Sequence, residues 1–349
     1  MKRIEKHVKK KETHLIGMGV VLLLMIFSIF IYLLMKQNQT QSVVQETDTN
    51  QVSNQWTAEK QLKVVNRFST FLFKAPTSHP VKDILYEQAL KKEPYVLNHE
   101  QRVQLLHDQL VDSELLYADT VRVLETSGDY TKVVALQQPN GKDVDGYIGW
   151  VFTQDLSDIP ETFKRAEKQI VVSKATAKGR LENSDITLSI GSYLPLVDET
   201  ETDFIVETLN GKATIQKSDA IVRGSMTSLE EMMTIGKSLI GIDYTWAGTS
   251  GNGFDCSGLV HTLYRLLDIQ VSRDTTKQVL DGIEIPKDKA ALGDLLLFEN
   301  EQGIHHVGIY VDKGVMLHAP NENASLEMMS ILGTPYEKEL KYVRRIVQP

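Results

Sequence analysis

From Leu15 to Met35 the chain runs 21 residues without a charge and with no polar alternation. That length crosses a hydrocarbon core as one helix and predicts a transmembrane anchor over 15–35. Residues 36–58 reverse the pattern. They are mostly Gln, Asn, Thr and Ser with few large apolar groups, which predicts a flexible stalk. From 59 to 158 short apolar runs alternate with turn residues, as in Val121-Arg122-Val123-Leu124, Thr131 to Ala135 and Tyr147 to Val151. They predict strands. Between them, Val81 to Leu116 is helical in part, with Ile84-Leu85, Leu90, Val103, Leu105-Leu106 and Leu110 as apolar positions. Residues 168–222 repeat the short-strand style with Ile170 to Val172, Leu194 to Val197 and Phe204 to Glu207.

From 227 to 349 the pattern changes again. Thr227-Ser228-Leu229-Glu230 has capping-box spacing and opens a helix whose apolar positions are Met232, Met233, Ile235, Leu239 and Ile240. Gly241 can close it. A second helical run spans Leu259 to Leu267, directly after Gly253-Phe254-Asp255-Cys256-Ser257-Gly258.

Charge changes the picture at the N-terminus. Segment 1–14 carries Lys2, Arg3, Lys6, Lys9, Lys10 and Lys11. Basic residues stay on the cytoplasmic side, so the chain after the anchor is expected outside the membrane. Lys36-Gln37-Asn38-Gln39 offers no small-residue cleavage site, so an uncleaved anchor is favoured over a cleaved, secreted form. No cysteine follows the run, which excludes a lipid-anchored cysteine. The first 36 residues hold seven Lys/Arg and two Glu, a net +5; the whole chain is −8, so the remainder is −13. That argues against nucleic acid as a partner, because phosphate binding needs clustered cations.

The chain has one cysteine, Cys256. It can form neither an intramolecular disulfide nor a multi-thiolate metal site. It is either a small buried apolar residue or a used thiolate. A helix beginning at Cys256 would aim unpaired N–H groups and partial positive charge at the sulfur, lowering its pKa toward neutrality. His306 follows 50 residues later and His318 another 12. These separations are not zinc-finger spacing, so catalysis is favoured over a metal site, and neither metal nor cofactor is expected.

Tyr244-x-Trp246-x-Gly248, Phe254-Asp255-Cys256-Ser257-Gly258-Leu259, Ser272-Arg273-Asp274 with Gln278, Gly293-Asp294-Leu295, His306-Val307-Gly308-Ile309-Tyr310 and His318-Ala319 follow in order. This series, over about 228–349, resembles the NlpC family of bacterial cell-wall cysteine peptidases, a papain-like group. Leu116-Tyr117-Ala118-Asp119-x-Val121 and Gly149-Trp150-Val151 resemble bacterial SH3-like barrels. The resemblance implies an α+β chain. A papain-like catalytic domain at 227–349 would follow two SH3-like domains at 59–158, with a helical insertion, and 168–222.

It also implies roles. Cys256 would be the nucleophile, with its own N–H as oxyanion donor. His306 would be the base, and His318 would orient it. His305 points to the opposite face of a strand, and His261 is given no role. The family subgroup that cleaves γ-D-glutamyl-L-diamino-acid bonds reads a free L-Ala amine, at positions matching Tyr244, Asp255 and Ser257 here. Asp255 is equally readable as a helix N-cap. Arg273 and Asp274 match a subgroup segment. Arg273 is readable as a substrate-carboxylate fork, and the two together as a structural ion pair. Trp246 either walls the pocket or packs in the core. The expected activity is hydrolysis of peptidoglycan stem peptides between γ-D-Glu and the L-diamino acid. The alternatives are an endopeptidase or amidase on cross-linked wall, and a non-catalytic wall-binding adaptor.

Overall fold

A computed structural model of the chain describes residues 61–91, 95–141 and 145–347. The apolar run 15–35 read as an anchor, the basic segment before it and the stalk at 36–58 lie outside the described residues. Among the described residues no helix is long and apolar enough to cross a membrane.

The first β-rich segment holds β1 (Leu62–Val65), β2 (Ser69–Phe73), β3 (Val111–Leu116), β4 (Thr120–Ser127), β5 (Tyr130–Ala135), β6 (Tyr147–Phe152) and β7 (Leu156–Asp158). They form one sheet in the order β3-β2-β6-β5-β4-β1-β7, with antiparallel pairing. Between β2 and β3 are helices α1 (Pro80–Leu90) and α2 (His99–His107). Pro80 starts α1 where its missing N–H costs nothing. Asn98 and Gln101 close a reciprocal capping box on α2. The buried stripe of α1 is Val81, Leu85 and Ala89, one every four residues, whereas Ile84 and Leu90 face solvent. The expected helical stretch therefore ends well before Leu116, since Val111–Leu116 is β3.

A short helix, α3 (Glu161–Lys164), leads to the second sheet. It holds β8 (Gln169–Val172), β9 (Thr176–Arg180), β10 (Asp185–Ser189), β11 (Tyr193–Glu199), β12 (Asp203–Thr208), β13 (Gly211–Gln216) and β14 (Ala220–Val222), in the order β10-β9-β13-β12-β11-β8-β14. Counted within each segment, both orders read 3-2-6-5-4-1-7. Strand β12 alternates, burying Phe204, Val206 and Thr208, and its partners add Ile170, Val172, Leu194 and Ile215 to the core.

The C-terminal segment begins with α4 (Leu229–Ser238). Its cap is Ser228, which accepts from the N–H of Glu231 at 3.3 Å, one position later than the expected box. Ile240 is exposed rather than on the packed face. The short strands β15 (Thr249–Ser250) and β16 (Gly253–Phe254) lead into α5 (Cys256–Leu266), followed by α6 (Thr275–Gln278). A six-stranded antiparallel sheet follows: β17 (Ile283–Glu284), β18 (Leu295–Asn300), β19 (Gly303–Asp312), β20 (Val315–His318), β21 (Glu327–Ser330) and, after α7 (Pro335–Glu339), β22 (Leu340–Arg345). Its order is β17-β22-β18-β19-β20-β21. Leu259, Val260, Leu263 and Leu266 of α5 share one core with Leu295, Leu297, Val307, Ile309 and Leu317 of the sheet. Each fully buried Leu or Val there contributes about 1.5–3 kcal/mol. That packing holds the start of α5 beside β19.

Candidate active site

Cys256 is the first residue of α5, and Asp255 caps the helix by accepting from the N–H of Gly258 at 2.6 Å. A Cβ at position 258 would collide with the carbonyl oxygen of Gly248, so only glycine lets this turn close. The Cys256 sulfur lies 3.7 Å from the hydroxyl of Thr275, at the start of α6. Backbone N–H groups of Val307 and Ser257 also reach it. The N–H of Cys256 is among the four at a helix start that have no intrahelical acceptor.

The expected thiolate is not what these surroundings favour. Burial, then the Asp255 carboxylate, push the Cys256 thiol up to about 11, against the opposing bonds from Thr275, Val307 and Ser257. The helix terminus does present positive charge, but its capping carboxylate sits on the same terminus and offsets it. The resting nucleophile is a thiol that needs a base.

His306 supplies one. It is on β19, directly before the residue whose N–H reaches the sulfur. Its Nε2 is 2.9 Å from Nδ1 of His318, at the end of β20. Both rings are buried. Burial, His318 and His305 hold His306 well below 6.5, and burial alone holds His318 at about 4. Both are neutral at pH 7, and Nδ1 of His306 is the ring nitrogen not engaged with His318. His305 is exposed and turns to Glu339 at 3.2 Å, as strand alternation requires. Tyr336 of α7 stacks on the His306 ring at 5.1 Å and meets the His318 ring edge-on at 5.7 Å, while Phe298 packs 5.7 Å from His306.

The residues around the cysteine depart from the expected ammonium cage. Arg273 is 1% exposed and spends its fork inside the protein. It donates to both oxygens of Asp255, at 3.1 and 2.7 Å, to Ser257 Oγ at 2.9 Å and to Ser113 Oγ of β3 at 2.8 Å. Ser257 also donates to Asp255 at 3.2 Å. Asp255 and Ser257 therefore belong to a closed network, and Arg273 is not open to a substrate carboxylate. A buried carboxylate needs such a partner.

Nor is Arg273 ion-paired with Asp274, the alternative reading; its partner is Asp255. The Asp274 carboxylate is half-buried and accepts from the hydroxyl of Tyr147 on β6, at 3.0 and 3.2 Å. Burial raises its pKa. Tyr244 is buried, and after burial itself the nearby Cys256 and Asp255 raise its pKa. Trp246 donates Nε1–H to the carbonyl of Val111 at 3.1 Å, joining the catalytic segment to the first sheet. His261 holds the Val271 carbonyl through Nδ1 at 2.9 Å, beneath the turn that carries Arg273 to Thr275.

Sequence reasoning missed Ser113, Tyr147, Thr275 and Tyr336. Only Tyr147 carried a signal, as an aromatic beginning a strand. The others are ordinary loop or strand residues until the chain is folded. Among the described residues no group of three His, Cys, Asp or Glu side chains is placed to hold a metal ion.

The model of the NlpC/P60 family matches residues 241–345. A Bacillus subtilis (strain 168) protein named gamma-D-glutamyl-L-lysine dipeptidyl-peptidase is 33% identical over 255 residues, covering 71% of this chain and 86% of the relative. Its Bacillus cereus namesake is 31% identical over 265 residues, covering 70% and 78%. The crystal structure of an NlpC/P60 family protein from Bacillus cereus ATCC 10987 superposes with a TM-score of 0.74 at 27% identity, covering 82% of this chain and 100% of that one. The similarity thus runs through the β-rich segments as well as the cysteine–histidine site, and the chain belongs to the NlpC/P60 family of cysteine peptidases.

Proposed function

We propose that this protein is an endopeptidase of peptidoglycan stem peptides that cuts the γ-D-glutamyl-L-diamino-acid bond. The observation that carries the reading is Cys256 at the start of α5, beside the β19 backbone, with His306 held by His318 at 2.9 Å. It stands in a chain similar to two Bacillus proteins that bear the name gamma-D-glutamyl-L-lysine dipeptidyl-peptidase.

The chemistry runs on these groups. The Cys256 proton moves to Nδ1 of His306 as sulfur attacks the scissile carbonyl. The carbonyl oxygen, now negative, takes the N–H of Cys256 at the helix start. His306 returns the proton to the leaving amine, and a thioester remains on Cys256. Water, deprotonated by the same imidazole, then releases the acyl product.

Preference for a free N-terminal L-Ala follows from a carboxylate other than the expected one. Asp255 is engaged by Arg273. Asp274 is half-buried with a phenol on it, and Asp112 is near enough to raise its pKa. A charge-assisted bond there favours an ammonium over an amide. Tyr147 comes from the first sheet, so we read that segment as an SH3-like domain that narrows the cleft. The second sheet, of identical strand order, is read as a second SH3-like domain. The apolar run 15–35 with its basic flank makes the enzyme a membrane-anchored one with an extracytoplasmic body.

Mass spectrometry of L-Ala-γ-D-Glu-L-Lys peptide with the purified enzyme tests the reading. Release of L-Ala-γ-D-Glu is expected, with a much lower rate on the N-acetylated peptide and none from folded Cys256→Ala. Equal rates on free and acetylated peptide overturn the amine preference. Activity in folded Cys256→Ala overturns the mechanism.

A further inference from the structure

His318 presents a problem that the cysteine and His306 do not solve. Its Nδ1 meets His306, but Nε2 is fully buried and makes no hydrogen bond. An imidazole nitrogen left without a partner in the interior has lost its hydration and gained nothing in return. Oε1 of Glu327 lies 3.6 Å away. Glu327 is the direct cross-strand partner of His318, β20 against β21, so both side chains stand on one face of the sheet. Its carboxylate is half-exposed and free to close the small remaining distance.

We propose that Glu327 is a positioning residue that completes a relay, Cys256–His306–His318–Glu327, by accepting the Nε2–H of His318. The proposal rests on the peptidase reading above and adds a member to its site. The reason is the choice of tautomer, which a neutral histidine pair leaves open. In one arrangement His318 carries its proton on Nδ1 and donates to His306. That puts the His306 proton on Nδ1, where the thiol's proton must go, and sets the bare Nε2 lone pair of His318 against a carboxylate. In the other, His306 donates Nε2–H to His318 and keeps Nδ1 free as a base. His318 then carries its proton on Nε2 and donates it to Glu327. The carboxylate repels the first arrangement and bonds the second. It therefore selects the tautomer in which His306 can accept the Cys256 proton, and it stabilises the imidazolium that results. No proton leaves the relay: one moves from sulfur to His306 Nδ1, and the others stay on the nitrogens that carry them. The groups facing His318 are His306 from β19, Glu327 from β21 and Tyr336 from α7. Hydrogen bonds of this kind are commonly long without substrate and shorten when it binds.

The test is steady-state kinetics across pH with the full chain and free-amine peptide. Glu327→Ala is expected to lower kcat about ten- to a hundredfold with KM little changed. Glu327→Gln keeps an acceptor oxygen but loses the charge, and falls between. In both, the acid limb of kcat/KM moves to lower pH, because removing the carboxylate makes the histidine pair harder to protonate. Glu339→Gln, which touches His305 instead, leaves all three unchanged. Nitrogen-15 NMR of the wild type is expected to show His318 protonated on Nε2. The relay is overturned by a His318 protonated on Nδ1. It is also overturned by Glu327 variants with unaltered kcat and acid limb while His318→Ala is impaired. Full activity of His318→Ala would instead bring down the histidine pair itself, and the relay with it.

Discussion

The two seven-stranded sheets share one strand order and differ in what they touch. The first reaches the mouth of the cysteine site. Ser113 accepts from Arg273, Tyr147 donates to Asp274, and Glu114 accepts the N–H groups of Thr249 and Ser250 at 2.8 and 3.0 Å. The second reaches the far end of the catalytic helix. Tyr193 donates to the carbonyl of Arg265 at 2.9 Å with that guanidinium over its ring; Ser189 separately accepts from Gly251 at 3.0 Å, in the β15–β16 turn before the helix. Asp119 of the first sheet's β3–β4 turn completes the knot as the buried partner of Arg265. Topology therefore does not assign the role. A few polar side chains do: Ser113 and Tyr147 of the first sheet meet the segment beside Cys256, whereas Tyr193 of the second sheet and Asp119 of the first hold the C-terminal end of the helix.

Substitutions can break that contrast. The largest effect belongs to Arg273→Ala, which leaves the buried Asp255 without its partner. It is expected to cost about 3–5 kcal/mol in denaturant melts and to abolish most activity in the fraction that folds. Arg273→Lys keeps charge but not the fork, so it recovers only part of both. Asp119→Ala strands Arg265 in the same way, at about 3–5 kcal/mol, yet at low temperature kcat/KM per folded molecule should stay near wild type. A catalytic collapse there would erase the distinction between mouth and support.

Glu114→Ala removes the acceptor of two buried N–H groups and is expected to cost about 1–3 kcal/mol. Its pH dependence has a defined sign. Burial raises the folded-state pKa of Glu114 above the ordinary 4.5. The stability this lends is complete below 4.5 and is lost as pH rises through the raised value. Urea titrations should show that decline in the wild type, and Glu114→Gln should lack it.

Smaller effects separate binding from support. Tyr147→Phe is expected to raise KM for the free-amine peptide about fivefold with kcat unchanged, and to leave KM for the acetylated peptide alone. Tyr193→Phe removes one hydrogen bond behind the helix. It should lower stability by about 1 kcal/mol and move neither kinetic constant.

Much of the site was legible along the chain. A cap, a glycine and an apolar run place Cys256 at a helix start, because capping and helical period act within a few residues. Two-residue alternation separates His306 from His305. The two sheets were legible as short strands punctuated by turns, although α1 and α2 blurred the boundary before β3. The 15–35 run is expected as an anchor from length and charge alone, and it lies outside the described residues.

What local pattern could not determine was the choice of partners. Arg273 stands beside Asp274 in sequence but pairs with Asp255, 18 positions away, and with Ser113, 160 positions away. Tyr336 and Glu327 join the histidines only because α7 and β21 pack against the ends of β19 and β20. The protonation of Cys256 was likewise decided by the folded surroundings. A helix start by itself lowers a thiol pKa, but burial and the Asp255 charge outweigh it here. Secondary structure follows from neighbours in the chain. Ion pairs, tautomers and proton affinities follow from neighbours in space, and those exist only once the three segments have packed around α5.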